Sequence, residues 1–316
     1  MKKNDLIYIA GHKGLIGSAL HRKLKERGYL NIITKTRHEL DLENLKKVST
    51  FLNKYKPRYI FIAAGITGGI QENIKNPYKL MIQNINIQNN IIQSAMIKEV
   101  KKVIYYGSSC MYPAKIKTTL KETDLLTSYP ERTSLHYAIS KLAGLHLCHA
   151  ANIEYKSSKF ITLIPNNVFG INDDFNLQTG HVLASLIKKF HNAKINNERS
   201  LKLWGDGLSK REFIYSDDIA DASIYLINKK IQFTDLPINI GTNNEYSIKV
   251  LAEKIKKLTN YEGLIKWDKT KPSGVRRKIL STNRLSKYGW KTSRNFDEDL
   301  KNTYQWFLKN EKKTKH

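Results

Sequence analysis

The chain is poor in cysteine, in acidic side chains and in long apolar runs, and each shortage removes a class of protein. Cysteine occurs twice in 316 residues, at Cys110 and Cys148, with no CxxC pair. That argues against a disulfide scaffold or zinc ribbon, gives no basis for a metal site, and suits a reducing compartment, so a cytoplasmic location is expected. No stretch approaches the roughly 18–20 apolar residues of a membrane span. The opening Met1-Lys2-Lys3-Asn4-Asp5 is basic, but the short apolar run behind it enters a glycine motif and reads as a first strand rather than a signal peptide. Acids number 28 against 54 lysines and arginines, a formal charge of +26. A surplus of that size fits a nucleic-acid partner when it is concentrated. Here the lysines run through nearly every segment among many Ile and Asn, and the densest clusters, Lys188-Lys189 and Lys312-Lys313-Thr314-Lys315, are short. With no zinc-finger spacing and no RNP-type aromatic motif, neither nucleic acid nor membrane is expected as a partner. A diffuse positive field would instead attract a phosphorylated substrate or cofactor.

What is present is a regular alternation of strand and helix. Leu6-Ile7-Tyr8-Ile9-Ala10 reads as a buried strand, followed by Gly11-His12-Lys13-Gly14-Leu15-Ile16-Gly17 and a helix with apolar positions at Ile16, Leu20 and Leu24, ending near Gly28. Strand, glycine turn and helix form a dinucleotide-binding unit, in which helix N-terminal N–H groups face a pyrophosphate. A second strand at Asn31-Ile32-Ile33 runs into Lys35 and Arg37. An NAD-binding unit places an acid there for the ribose 2′-hydroxyl. These cations, with Lys13, suit a 2′-phosphate, so NADP(H) is the expected cofactor. Asp41 is expected to open a helix carrying Leu45, Val48, Leu52 and Tyr55, closed by Pro57. Tyr59–Ala64 reads as a third strand, Gly65–Ile70 as a glycine-bearing turn, Tyr78–Lys98 as a long helix, and Lys102–Tyr106 as a strand ending in Gly107-Ser108-Ser109-Cys110. The pattern predicts an α/β, Rossmann-type doubly wound parallel sheet with ligands at the carboxyl ends of its strands. The expected division is a dinucleotide-binding domain over 1–165 and a smaller mixed α/β C-terminal substrate-binding lobe over 166–316, with some segments returning to the first. Ile248–Leu258 and Asp297–Leu308 read as amphipathic helices of that lobe, and Ile171–Gly180 as a mobile cover.

About thirty residues after Ser108 comes Tyr137-Ala138-Ile139-Ser140-Lys141. Side chains at i and i+4 share a helix face, and an ammonium beside a phenol favours the phenolate. Alone the pair is a common surface pattern. Preceded by a glycine turn and a strand-end serine, it reads as a proton-delivery pair.

In that order these motifs resemble the extended short-chain dehydrogenase/reductase family, and within it the enzymes that epimerise and reduce GDP-4-keto-6-deoxy-D-mannose. The likeness runs nearly end to end. It includes Gly107-Ser108-Ser109-Cys110-Met111-Tyr112-Pro113, Gly180-His181-Val182, Trp204-Gly205-Asp206-Gly207, Arg211-Glu212-Phe213, Asn239-Ile240-Gly241-Thr242 and Lys271-Pro272-Ser273-Gly274. The resemblance implies epimerisation at C3 and C5 followed by NADPH reduction at C4. Cys110 and His181 would be the epimerisation base and acid, Tyr137 the reductive proton donor, Ser108 a hydrogen-bond partner, and Lys141 the group tuning Tyr137 and holding the ribose. It further implies cofactor contacts from Gly11, Lys13, Gly14, Leu15, Ile16, Gly17, Lys35, Arg37, Asp41, Ala64, Gly107, Pro165, Asn166, Asn167, Val168 and His181. Substrate contacts would come from Ser108, Ser109, Cys110, Asn167, Lys189, Trp204, Arg211, Ser273 and Lys278. A homodimer packed through the Tyr78–Lys98 and Tyr137-bearing helices is also implied. Cys148, within that last helix, reads as packing.

The chain departs from the family at Glu131-Arg132-Thr133-Ser134-Leu135-His136, at Ile171-Asn172-Asp173-Asp174, at Ser273-Gly274-Val275-Arg276, and at Gly65-Ile66-Thr67. All four stretches are expected around the substrate. They leave open a second reading: the same reductase step, with or without epimerisation, on another GDP-4-keto sugar such as a GDP-4-keto-6-deoxy-heptose. A non-catalytic nucleotide- or nucleic-acid-binding relative would be expected to lack Tyr137 or Lys141.

Overall fold

The computed structural model describes residues 1–116, 118–232, 236–271 and 275–311. The first half alternates β1 (Ile7–Ala10), α1 (Leu15–Glu26), β2 (Ile32–Thr34), α2 (Leu45–Tyr55), β3 (Tyr59–Ile62), α3 (Ile70–Lys75), α4 (Pro77–Ser94), β4 (Lys102–Tyr106), α5 (Leu135–Glu154) and β5 (Phe160–Pro165). The second half follows with β6 (Asn167–Phe169), α6 (Val182–Ile195), β7 (Ser200–Trp204), β8 (Lys210–Tyr215), α7 (Ser216–Leu226), β9 (Ile238–Ile240) and β10 (Glu245–Ser247). It closes with α8 (Ile248–Thr259), β11 (Leu264–Asp268), β12 (Arg277–Lys278), α9 (Asn283–Lys287) and α10 (Phe296–Asn310).

The main sheet has six parallel strands in the order β2-β1-β3-β4-β5-β9. Strands β1, β3 and β5 are buried along their whole length, because helices cover both faces of a parallel sheet. One face packs on α1 and α7 through Leu20, Leu24, Ile219 and Ile224, and the other on α2, α4 and α5 through Val48, Leu52, Ile91, Leu142 and Leu145. Arg22 on α1 donates to Asp217 on α7 at 2.6 Å, tying those helices together. Chain order reverses about β1, so the crevice between the carboxyl ends of β1 and β3 is the ligand position of this topology.

A second core fills the other lobe, with Leu183, Ile187 and Phe190 of α6, Leu251 and Ile255 of α8, and Leu300 and Phe307 of α10. Its central strand, β8, pairs with β6 and β12 in parallel and with β10 antiparallel, while β7 pairs with β11. Strand β9 comes from this half of the chain yet forms the edge of the main sheet.

Two helix boundaries differ from expectation. Asp41 does not open α2: its carboxylate accepts from the Glu43 N–H at 3.0 Å in a local turn, and Asn44 caps the helix by accepting from Lys47 N–H at 3.0 Å. Helix α4 stops at Ser94 instead of running to Lys98, and the separate short α3 precedes it. The Lys159 ammonium, arriving from the start of β5, donates to the carbonyls of Ala95 and Ile97 (3.2 and 2.9 Å) and so satisfies carbonyls just beyond the helix end. Among the described residues no helix is long and apolar enough to cross a membrane.

Candidate active site

The glycine turn after β1 is built for close approach. Gly11 has φ +85°, and a Cβ there would lie 2.6 Å from the backbone of Ala64 beyond β3. A Cβ on Gly17 would sit 2.1 Å from the Gly11 carbonyl, so α1 packs directly on the turn. Gly14, at the helix N-cap, offers no side chain to the first-turn N–H groups, and Leu15, Ile16 and Gly17 bring no acid near them. This leaves an anion cradle at a helix N-terminus. His12 Nδ1 is buried there without a hydrogen-bond partner. Burial, then Lys13, lower the His12 pKa, while Glu39 and the Lys35 main chain act in the opposite sense. These features fit a dinucleotide.

The cations beyond β2 are already engaged. Lys35 pairs with Glu39 at 3.2 Å and Arg37 with Glu43 at 2.8 Å. The N–H and hydroxyl of Thr36, helped by Lys35, push the Glu39 carboxyl down to about 2. A 2′-phosphate would have to compete with these glutamates, which the sequence reading overlooked. Asp41 lies beside this cluster, half-buried and committed to its own turn.

The chemistry-bearing side chains gather at the ends of β4 and β8. Ser108 follows β4 and accepts from the Cys110 N–H at 3.2 Å. Gly107 packs under Met111, where a Cβ would meet the methionine at 2.7 Å. Tyr137 reaches the same point from the first turn of α5. Its phenol is pushed up by burial and then by Cys110, with a hydrogen bond to Ser108 opposing. The phenol is therefore held protonated. Lys141 is buried, and its pKa falls to about 8 for that reason. The i, i+4 spacing predicts that its ammonium lies against the phenol. Here Nζ donates to the Tyr106 carbonyl at 3.1 Å and lies 5.2 Å from the Tyr105 ring centre. Tyr105 in turn donates to Gln88 at 2.7 Å, and Gln88 to the Ser140 carbonyl at 2.7 Å, which fixes α5 on the sheet.

Cys110 is half-buried beside Tyr137 and Lys278. Burial raises its pKa, but Lys278 and the hydroxyls of Ser108 and Ser134 outweigh that and leave it lowered. Lys278 Nζ donates to Sγ at 3.6 Å. Arg211 sits opposite Lys278 in the β8–β12 register and is coupled to Cys110 by charge. Cys148 is fully buried, and burial pushes its thiol far up, as packing requires.

His181 is the N-cap residue of α6. It opens to solvent on one side, yet the protein around it lowers its pKa, with Asp174 opposing and Lys278 adding to the effect. Its loop is laced by turns rather than loose. Asp174 accepts from Asn176 N–H and Thr179 Oγ1, and the Gly69 N–H donates to the Thr179 carbonyl at 2.8 Å. On the same helix Lys189 lies 5.9 Å from the ring of half-exposed Trp204, so those two expected substrate residues face one another.

Pro165 ends β5, and Asn167 and Val168 open β6, while Asn166 between them turns its amide inward to the Glu212 carboxylate at 2.5 Å. Ser109 is buried in the short turn after Ser108. Ser273 lies outside the described residues.

Three side chains were not singled out from sequence. Ser134, in one of the divergent stretches, helps lower the Cys110 pKa. Asp174, in another, acts on His181. Glu212 is fully buried and accepts N–H groups from three separate segments. An acid directly before the apolar Phe213-Ile214-Tyr215 run of β8 was the available signal for the last.

A dinucleotide cradle, a Ser-Tyr-Lys set whose Tyr137 and Lys141 are buried, and a thiol held by a lysine define a nucleotide-dependent enzyme of the short-chain reductase type. The NAD dependent epimerase/dehydratase family model matches residues 7–241, and the chain belongs to that family. It is 40% identical over 309 residues to GDP-L-fucose synthase 1 of Arabidopsis thaliana, covering 98% of this chain and 94% of that one. A GDP-6-OMe-4-keto-L-xylo-heptose reductase from C. jejuni superposes with TM-score 0.91 at 33% identity, over 98% of this chain and 99% of the other. A GDP-L-fucose synthetase from Naegleria fowleri bound to NADP gives TM-score 0.89 at 28% identity, over 99% and 95%.

Proposed function

We propose that the protein is an NADPH-dependent GDP-4-keto-6-deoxy-D-mannose 3,5-epimerase/4-reductase that forms GDP-L-fucose. The observation that carries this reading is the convergence of Cys110, Ser108 and Tyr137 on one point beside the cofactor cradle. A C4 ketone acidifies the hydrogens at C3 and C5, and the Cys110 thiolate removes them. His181 serves as the proton donor, with the Asp174 charge favouring its protonated form. Tyr137, held protonated, gives its proton to the C4 oxygen, and Ser108 hydrogen-bonds the developing alkoxide. Lys141 anchors the ribose side of the site. Lys189 and Arg211 hold the diphosphate, and Trp204 packs on the sugar or base. NADPH, when bound in the Gly11–Gly17 cradle with its 2′-phosphate toward Lys13, Lys35 and Arg37, supplies a hydride to C4. A homodimer through α4 and α5 belongs to the same reading.

A second substrate is favoured by one feature: Ser134, in a stretch where the family pattern is broken, helps hold the Cys110 pKa down. Together with the likeness to a heptose reductase, this supports a GDP-4-keto-heptose as the alternative ring. Incubation with GDP-4-keto-6-deoxy-D-mannose and NADPH in deuterated water separates the two. The first reading gives NADPH oxidation with deuterium at C3 and C5. Oxidation without deuterium defines a plain C4 reductase, and no oxidation at all rejects this hexose.

A further inference from the structure

Cys110 and Lys278 are 168 residues apart in sequence and in hydrogen-bond contact in the fold. We propose that Lys278 is the residue that ionises Cys110, rather than a ligand of the GDP-sugar. This deepens the epimerase reading and rests on it.

Lys278 is firmly rooted. Strand β12 is only Arg277–Lys278, but the chain around it is tied on both sides. Leu120 N–H donates to the Ile279 carbonyl at 2.9 Å, Ser281 N–H to the Leu120 carbonyl at 2.8 Å, and Leu280 N–H to Glu212 Oε2 at 3.0 Å. In-register neighbours on adjacent strands project from the same face, so Lys278 and Arg211 leave the sheet together. Lys278 is the one that donates to Sγ. Arg211 gives a guanidinium N–H to the Lys210 carbonyl at 2.8 Å and acts on the sulfur through its field.

Among the described residues, the hydroxyl groups that also act on the sulfur are neutral. Ser108 comes from its own loop, Ser134 from the turn before α5, and Tyr137 from α5 as a protonated phenol. Asp174 and His181, on the loop before α6, interact with each other, and His181 also with Lys278. A thiol so placed loses its proton to solvent and remains as a thiolate–ammonium pair. In each epimerisation the thiolate takes the ring-carbon proton and the C–H electron pair moves into the enolate. His181 then gives a proton to the carbon, and before the next centre the thiol releases its proton to solvent while His181 takes one up.

The test reads the thiol without substrate: the rate of Cys110 alkylation by iodoacetamide as a function of pH, with Cys110→Ser as the blank and buried Cys148 silent. In the wild type the midpoint should fall below the ordinary thiol value of about 8.5. In Lys278→Met it should rise by about one unit or more, slowing labelling at pH 7 about tenfold. Lys278→Arg should restore most of the shift. Retained NADPH binding checks that each variant is folded. An unchanged midpoint in Lys278→Met, or a midpoint that Lys278→Arg fails to restore, overturns the proposal. A raised KM for the sugar with unmoved thiol reactivity would return Lys278 to substrate binding and likewise overturns it. Because no substrate enters the labelling, these results stand whether or not deuterium exchange supports the epimerase reading.

Discussion

Replacing Glu212 by glutamine exchanges one oxygen for an amide nitrogen at the most connected point of the second lobe. Oε1 accepts from the N–H groups of Thr242 (2.6 Å) and Asn243 (2.7 Å), and Oε2 from Leu280 N–H (3.0 Å) and Asn166 Nδ2 (2.5 Å). The side chain is fully buried, and Gly241 approaches so closely that a Cβ there would lie 2.5 Å from Oε1. A carboxylate suits this setting because it only accepts. Whichever way the glutamine amide turns, its NH2 faces two N–H donors, so two hydrogen bonds are lost and two buried donors are stranded. At about 1–3 kcal/mol for each stranded group, the expected loss is about 4 kcal/mol, a large part of the roughly 5–15 kcal/mol that holds a typical domain. Urea unfolding followed by tryptophan fluorescence measures it, since Trp204, Trp267 and Trp306 all lie in the second half of the chain. Cofactor affinity should change little, because the Gly11–Gly17 cradle belongs to the other lobe. A destabilisation below about 1 kcal/mol would refute the claim that this carboxylate joins β8 to the β9–β10 turn and to β12.

Asp173 is buried, with Oδ2 unpartnered, and burial, opposed by the Asp174 N–H and assisted by the Asp174 charge, raises its pKa to about 7. With the folded value above the unfolded one, its contribution to stability is complete below about pH 4 and is lost as pH rises through 7. Between pH 5 and 8 the wild type should lose about 2–3 kcal/mol that Asp173→Asn does not. Denaturation curves of both proteins at the two pH values check this, and an equal loss of stability in the two would contradict it. For the cofactor, Lys35→Ala with Arg37→Ala should raise KM for NADPH about tenfold or more while leaving NADH unchanged, since only NADPH carries the 2′-phosphate. An unaltered NADPH preference would remove both cations from that role.

Much of this arrangement was legible in the sequence because it rests on local signals. Apolar strands, the Gly11–Gly14–Gly17 spacing and Tyr137 four residues before Lys141 are short-range patterns, and each stands where the pattern puts it. What escaped depends on partners far along the chain. Asp41 and Asn44 are equally good capping residues by type, and the local turn made by Asp41 decides between them. The end of α4 is set by Lys159, which no helical periodicity reveals. The pairing of Lys35 with Glu39 was within reach at i, i+4 but was read only from the cation side. The contact between Cys110 and Lys278 required both the Glu212 junction and the β8–β12 register to be known.

The placement of β9 bears on how this enzyme can be altered. A strand encoded after residue 237 closes the edge of a sheet that otherwise ends at residue 165. The lobes are therefore interleaved in the chain, and a fragment cut at residue 165 would expose the β5 edge as a template for unwanted strand pairing. Exchanging the sugar-recognising half with that of a relative cannot be done at a single joint. Such a graft must leave α7 and residues 238–240 with the dinucleotide half while replacing segments around them, so the recognition surface is inherited as several stretches threaded through one framework.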